Sequence, residues 1–331
     1  MAITLTQLRS FLAVVHTGSV TQAADELIVT QPSVSAAVSA LSAEVGTALT
    51  ERDGRSVRPT AAGRAFATYA ADVVGLLEQG ARAAREAAGA ATREVRIAAV
   101  TTAGEHIVPP LLEAFSERHP DIAVSLDVGN RERVFERVRT RRSDIAIGGR
   151  PPGEGIDGER FLDNPVVIIA APSDPLAGRR SVPIAELGAR PWLVREEGSG
   201  TRSMTEEFLA SHGLDPPVLT LGSNGAIKQG ARAGLGLALQ SRLATELELE
   251  MGLVVALDVA ATLPERHWYL LRARRGPHRP PVEQFLAFAR APEARAAIER
   301  ARRPAGRARA PLGDDGDAGS SSGSEVTSAL A

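Results

Sequence analysis

The 331-residue chain contains no cysteine, which excludes disulfides, thiolate metal sites and cysteine nucleophiles. Its six histidines, at positions 16, 106, 119, 212, 267 and 278, show no metal-ligand spacing, so neither a metal nor another cofactor is expected. Catalytic motifs are missing too. The Gly198-Ser199-Gly200 triplet lacks the flanking pattern of a G-x-S-x-G nucleophile elbow, and no glycine-rich phosphate loop ending in GKS or GKT is present. No catalytic residue is therefore assigned. The start, MAITLTQLRS, lacks the basic, apolar and small-residue regions of a signal peptide, and no segment is long and apolar enough to span a bilayer. Both absences predict a cytoplasmic protein without a membrane partner. Strong charge is also lacking: the formal net charge is -2, and residues 1–93 hold eight arginines against eight carboxylates, with no lysine. Overall charge thus announces no nucleic-acid partner. What remains is an ordinary balance, 44% hydrophobic and 24% charged, on a chain long enough for two or three domains.

The most informative stretch is SVTQAADELIVTQPSVSAAVSAL, residues 19–41. Val20, Ala23, Ala24 and Leu27 fall at i, i+3, i+4 and i+7, and Val34, Ala37, Val38 and Leu41 repeat that spacing, so two short helices each bury one face. Ser19 with Gln22 reads as a capping box, Thr30 as a second N-cap, and Gln31-Pro32 as a first turn. A preceding stripe of Leu5, Leu8, Phe11, Leu12 and Val15 stops at His16-Thr17-Gly18 and supplies a third helix to one small core. After Gly46, an Asp53-Gly54 pair between Leu49-Thr50-Glu51-Arg52 and Arg55-Ser56-Val57-Arg58 predicts a tight hairpin. A basic hairpin following two such helices is the wing of a winged helix-turn-helix. Arg52, Arg55, Arg58 and Arg64 cluster there against Glu51 and Asp53, a local positive patch for phosphates.

These residues resemble the LysR-type transcriptional regulators. The likeness runs from LTQLRSFLAVVHTGSVTQAADEL through VTQPSVSAAVSAL to RPTAAG, where that family starts a long linker helix, and segment order fits along nearly the whole chain. Two departures stand out. Thr50 occupies a position where the family usually has phenylalanine, which would loosen the wing. Ala36, Ala37 and Ser39 stand where long Arg, Gln or Lys base readers are common. Short side chains let the helix approach the groove floor, with Gln31 placed for adenine, Ser33, Ser35 and Ser39 for either base type, and Ala36 for a thymine methyl. Ser19, Thr30 and Pro32 at the helix starts complete the expected DNA-binding set with Arg52, Arg55 and Arg58. Modest base specificity per half-site follows, with the wing, phosphates and DNA shape carrying the remainder.

From residue 60 to 91 the pattern is one proline-free helix. Phe66, Tyr69, Val73, Leu76, Leu77, Gly80 and Ala84 trace a stripe near a 3.5-residue period, which suits pairing with a second copy; the alternative is packing on its own chain. The resemblance favours a homodimer, and a dimer of dimers, on two-fold double-stranded promoter DNA, with RNA polymerase as a further partner.

Beyond residue 92 strands and helices alternate. EVRIAAV, IAVSLDV and DIAIGG read as strands with LLEAFSERH and RERVFERVRT as helices, and a second unit begins near PWLVREEGSGTR. The fold class is α/β overall: a mainly parallel sheet in each of two lobes joined by crossing strands, similar to the periplasmic-binding-protein fold that the resembling family uses as an effector domain. Ligands of such folds sit beyond strand carboxyl ends. Thr101-Thr102, Ser199-Gly200-Thr201 and Ser223-Asn224 follow predicted strands, Asn130, Gly148 and Gly149 end neighbouring ones, and Arg150, Arg195 and Arg202 are nearby cations. A small anionic effector in the interlobe cleft is the expectation. REEGSGTR resembles segments of regulators of carbon fixation and sulfur assimilation, without choosing a ligand.

The domain reading is 1–59 winged helix-turn-helix, 60–91 linker, 92–300 effector domain and 301–331 a Gly-, Ser-, Ala- and Pro-rich tail expected to be disordered. A cytoplasmic small-molecule-binding protein or an enzyme of two-lobed fold is the alternative.

Overall fold

A computed structural model describes residues 2–54, 56–153 and 155–302; the tail from 303 and Arg55 lie outside the described residues. Helix α1 (Leu5–Thr17) opens on a reciprocated capping box, in which the Thr4 hydroxyl accepts from the Gln7 N–H and the Gln7 side chain accepts from the Thr4 N–H. It stops at Gly18, which takes the left-handed conformation a helix end favours. Helix α2 (Val20–Leu27) starts at Ser19, but only half of the expected box forms. The Ser19 hydroxyl accepts from Gln22 at 3.4 Å, whereas the Ser19 N–H is already taken by Thr17 Oγ1 at 3.3 Å, leaving Gln22 nothing to cap. Thr30 caps α3 (Gln31–Val45) with Pro32 in its first turn. Val34, Val38 and Leu41 meet Leu8, Phe11, Val14, Ala23 and Ala24 in one buried core.

The wing is strand β1 (Thr50–Asp53) paired with β2 (Ser56–Pro59). Asp53 pairs with Ser56, so the turn begins at Gly54, one residue later than an Asp53-Gly54 turn would place it; Gly54 supplies the positive φ. Half-buried Thr50 does not leave the wing unanchored. Leu49 is fully buried, the Val57 N–H donates to the Gly18 carbonyl at 2.8 Å, and the Thr60 N–H donates to the Leu49 carbonyl at 3.1 Å.

Helix α4 (Ala61–Ala87) leaves directly beside the wing. A Cβ at Gly63 would lie 1.9 Å from the Leu49 carbonyl oxygen, so this crossing admits only glycine. Phe66 packs on Phe11 at 5.8 Å between ring centroids, and Ala70 closes that core. Further along, Ala71, Gly75 and Gln79 are buried, the last two against Arg141 of the effector domain. A Cβ at Gly75 would stand 2.7 Å from the Arg141 side chain.

The first lobe comprises β3 (Arg93–Val100), α5 (Thr101–His106), α6 (Val108–Arg118), β4 (Ile122–Gly129), α7 (Arg131–Arg139), β5 (Ile145–Gly148) and β6 (Ile156–Asp163). The second holds β7 (Val166–Ala170), α8 (Ile184–Gly188), β8 (Trp192–Val194), α9 (Gly200–Ser211), β9 (Val218–Thr220), α10 (Asn224–Arg232), β10 (Ala238–Ser241), α11 (Arg242–Glu250) and β11 (Val255–Ala256). The chain then returns to the first lobe as β12 (His267–Ala273), α12 (Pro280–Arg290) and α13 (Pro292–Arg302). The first-lobe sheet runs β4-β3-β5-β12-β6. Its β4, β3 and β5 are parallel, while β12 is antiparallel to both neighbours, and in the second lobe β10 and β11 are antiparallel to β7. The expected mainly parallel pairing thus holds for β3 with β4 and β5 and for β8 with β9, and gives way at β7 and β12, the strands that follow the passages between lobes, because a crossing strand enters its sheet from the opposite end. Phe115, Phe285, Phe288 and Trp268 centre one core and Trp192, Phe208 and Leu239 the other.

Buried charge fixes α4 to the first lobe. Arg141, 2% exposed, donates to Gln79 Oε1 at 3.1 Å and to the Arg275 carbonyl, and pairs with Asp72 at 3.5 Å. Arg279 pairs with Glu86 and, at 2.9 Å, with the buried Asp144, which also receives Arg96. Removing one partner of such a pair strands the other without water. Arg142, just after α7, approaches Glu26 of α2 at 3.6 Å, so the first lobe also touches the winged domain.

Candidate DNA interface and effector cavity

On α3 the buried Val34, Val38 and Leu41 turn one face inward, which leaves Gln31, Pro32, Ser33, Ser35, Ala36 and Ser39 exposed together on the other. Thr30 is exposed at the helix start, where its hydroxyl serves as the cap and meets Ser33 Oγ at 2.8 Å, and half-buried Ser19 spends its hydroxyl on α2. Arg52 is exposed. Arg58 is already engaged, pairing across the hairpin with Glu51 at 2.9 Å and with Asp53 at 3.8 Å. A phosphate must therefore replace a carboxylate there. Arg64 donates to the Pro59 carbonyl at 2.8 Å, bracing the wing exit. Ile28, whose apolar side chain gives no local signal of exposure, is 91% exposed and holds φ 56° in the turn between α2 and α3.

The stripe on α4 divides. Tyr69, Val73 and Leu77 are 58%, 52% and 56% exposed, with Gly80 and Ala84 exposed beyond them. Phe66 is instead covered by the winged core, and Leu76 lies against Gly276, so these two positions pack within the chain. One part of the stripe thus packs within the chain, and the other is left exposed on the helix surface.

Between the lobes, the ends of β3, β4 and β5 face the starts of α7 and α9 around about 390 Å³ of space, including its open mouth. Thr101, Thr102, Asn130, Gly149, Ser199, Gly200 and Thr201 line it as the strand-end argument expects. Asn130 and Ser199 are the N-caps of α7 and α9, so the positive ends of both helices point at the space. Gly148 is not part of the lining, because it is packed behind Leu271 and Val100. Ser223 is occupied in capping α10, accepting from the Ala226 N–H at 3.1 Å. Asn224 stands just behind the wall: it donates to Thr102 Oγ1 at 3.0 Å across the lobes and accepts from Arg195. The lobes also meet where the Glu132 N–H donates to the Gly198 carbonyl at 3.3 Å. Of the three cations expected, only Arg195 lines the cavity; exposed Arg150 offers a carbonyl to Arg131, and Arg202 pairs with Glu206.

Two further arginines complete the wall. Arg131 opens α7 and lies over the Phe135 ring at 4.9 Å, and Arg266 lies over Trp268 at 6.0 Å with Thr201 Oγ1 at 3.5 Å. Among the described residues neither has a carboxylate within 4 Å. Burial, with the Arg131 charge beside it, pulls the Arg266 guanidinium down to about 10, so it remains a cation at neutral pH. Arg131 could have been found from the sequence, since it follows the strand-ending Asn130. Arg266 and Trp268 carry no local signal; they arrive on the strand that crosses back from the second lobe.

Two family descriptions match the chain: "Bacterial regulatory helix-turn-helix protein, lysR family" over residues 5–64 and "LysR substrate binding domain" over residues 88–292. The RuBisCO operon transcriptional regulator of Allochromatium vinosum is 37% identical over 290 residues, covering 87% of this chain and 96% of that one. The transcriptional activator CmpR of Synechocystis is 36% identical over 270 residues, 81% of this chain and 88% of that one. Among solved structures, the regulatory domain of Synechocystis CcmR in complex with 2-PG aligns with a TM-score of 0.57 at 34% identity, over 60% of this chain and 95% of that one. A full-length OxyR of Pseudomonas aeruginosa, 21% identical with a TM-score of 0.59 over 88% of this chain and 95% of that one, shares the fold. With a winged helix-turn-helix at one end, a two-lobed cavity at the other and both family descriptions matched in order, the chain belongs to the LysR family and is a DNA-binding transcriptional regulator, not an enzyme.

Proposed function

We propose that the chain is a cytoplasmic regulator that senses a small anionic metabolite between its lobes and changes its grip on promoter DNA in response. The observation that carries this reading is the pair Arg131 and Arg266, two cations facing the interlobe cavity and, among the described residues, without carboxylate partners. Repulsion between them is relieved by an anion, which the caps and N-termini of α7 and α9 also favour. A ligand touching both lobes favours one closure over others and so couples to whatever the lobes hold in place. The solved likeness named for 2-PG makes 2-phosphoglycolate a reasonable first probe. Calorimetry should show it binding the full chain, with Arg131→Ala and Arg266→Ala each weakening binding by about 1.5–3 kcal/mol, the worth of a charged hydrogen bond. Unchanged affinity in both variants would overturn the site.

DNA contact is assigned to Gln31, Pro32, Ser33, Ser35, Ala36 and Ser39 with the wing arginines, and self-association to the outward part of α4. This supports a homodimer on a two-fold site, assembled further as a dimer of dimers beside RNA polymerase. Residues 1–59, 60–91 and 92–300 are the working division of labour.

A further inference from the structure

Among the described residues that line the cavity, Arg195 is the cation already neutralised. It is 5% exposed, and its fork is filled by its chain neighbour: Nε donates to Glu196 Oε2 at 2.7 Å and Nη2 to Oε1 at 2.9 Å. Its Nη1 donates to Asn224, which in turn reaches Thr102 in the opposite lobe. The two members of the ion pair differ in freedom. The Arg195 side chain is 6% exposed and held from behind, whereas Glu196 is 32% exposed and can turn out to water. Burial pushes the Glu196 carboxyl up, but the bonds from Arg195 pull it further down, so it stays ionised at neutral pH.

We propose that Glu196 is a built-in competitor, its carboxylate holding the Arg195 fork that an anionic ligand must take in order to engage both lobes. The inference rests on reading the cavity as an anion site. A bidentate carboxylate on guanidinium is among the stronger polar contacts in proteins, and a buried arginine stripped of its partner is costly. An incoming anion must therefore supply two acceptor oxygens in the same plane before Glu196 is released. Carboxylates and phosphates meet that condition; a spherical halide does not. Glu196 thereby sets the concentration at which the regulator responds, and its exchange places the ligand next to the Arg195–Asn224–Thr102 chain that ties the lobes together.

The test is calorimetry on the full chain with 2-phosphoglycolate and, separately, inorganic phosphate. Glu196→Gln should bind both about tenfold more tightly than the unmodified protein, the scale of one charged hydrogen bond no longer exchanged. Glu196→Asp, one methylene shorter and so with less reach to the Arg195 fork, should show a smaller gain, and it carries the test if Glu196→Gln folds poorly. Chloride should compete with neither. Equal or weaker binding by both variants, with Arg131→Ala still impaired, overturns the competitor role while leaving the anion site standing. Arg131→Ala binding as tightly as the unmodified chain overturns the site itself, and binding by none of the proteins overturns both.

Discussion

A β-branched residue in the left-handed region is strained, because its Cβ substituents crowd the following carbonyl, and Ile28 adds to this by placing its side chain almost wholly in water. Neither feature helps the fold. Asparagine tolerates the same backbone, so Ile28→Asn should raise unfolding free energy by about 1 kcal/mol, read from urea midpoints. A fall in stability would mean that the side chain has a partner within the chain. The wing shows a parallel economy of charge: Arg58 stands with Glu51 and Asp53, so its attraction for phosphate is tempered until they separate. Such pairing between cross-strand neighbours follows from the register and cannot be read from composition.

At the scale of elements, α4 carries most of the consequences. Its inner residues are small because two bodies press on them: the wing at Gly63 and Arg141 at Gly75. Its outer residues Tyr69, Val73 and Leu77 expose apolar surface that an isolated chain gains nothing by showing. Val73→Glu together with Leu77→Glu should shift the protein to a smaller species in sedimentation without lowering its helix content; unchanged size would place self-association elsewhere. The winged domain was almost fully legible in the sequence because its signals are short-range: periodic apolar residues, caps at Thr30 and Ser19, a hairpin glycine. The reciprocated cap of Thr4 with Gln7 is a signal of the same short range. The cavity was half legible. Thr101, Asn130 and Ser199 end strands or start helices and announce themselves locally, whereas Arg266 reaches the wall through topology. Arg195 is placed near the site by its position after a predicted strand, whereas its pairing with Glu196 depends on burial and shows only in the folded chain.

For the whole molecule, acid sensitivity can be assigned. His106 and His278 are both lowered from their ordinary value, chiefly by burial, with Glu105 only partly offsetting this for His106 and Glu283 for His278. The unfolded chain thus binds protons that the folded chain resists. Stability from this source is complete above the unfolded value of roughly 6.5 and is lost as pH falls from there through the lowered folded values. Melting temperature should therefore drop as pH falls below about 6.5, and the double variant His106→Gln with His278→Gln should drop less. An identical acid limb in the variant would assign the loss to carboxylates instead.

The 27 residues of α4, at a rise of 1.5 Å each, give a rod of about 40 Å. Arg279 bolts its last turn to the first lobe at Glu86, Arg141 braces its middle at Asp72, and its start is fused to the winged core through Phe66 and Ala70. Such a rod multiplies small angles: a turn of the lobe by about 6° carries the far end through about 4 Å, more than the rise of one base-pair step of duplex DNA. Mechanical advantage of this kind depends on the length of helix between its points of support, so inserting a turn in α4 between Ala70 and Asp72 alters the gear ratio of the molecule while leaving both of its working surfaces chemically intact.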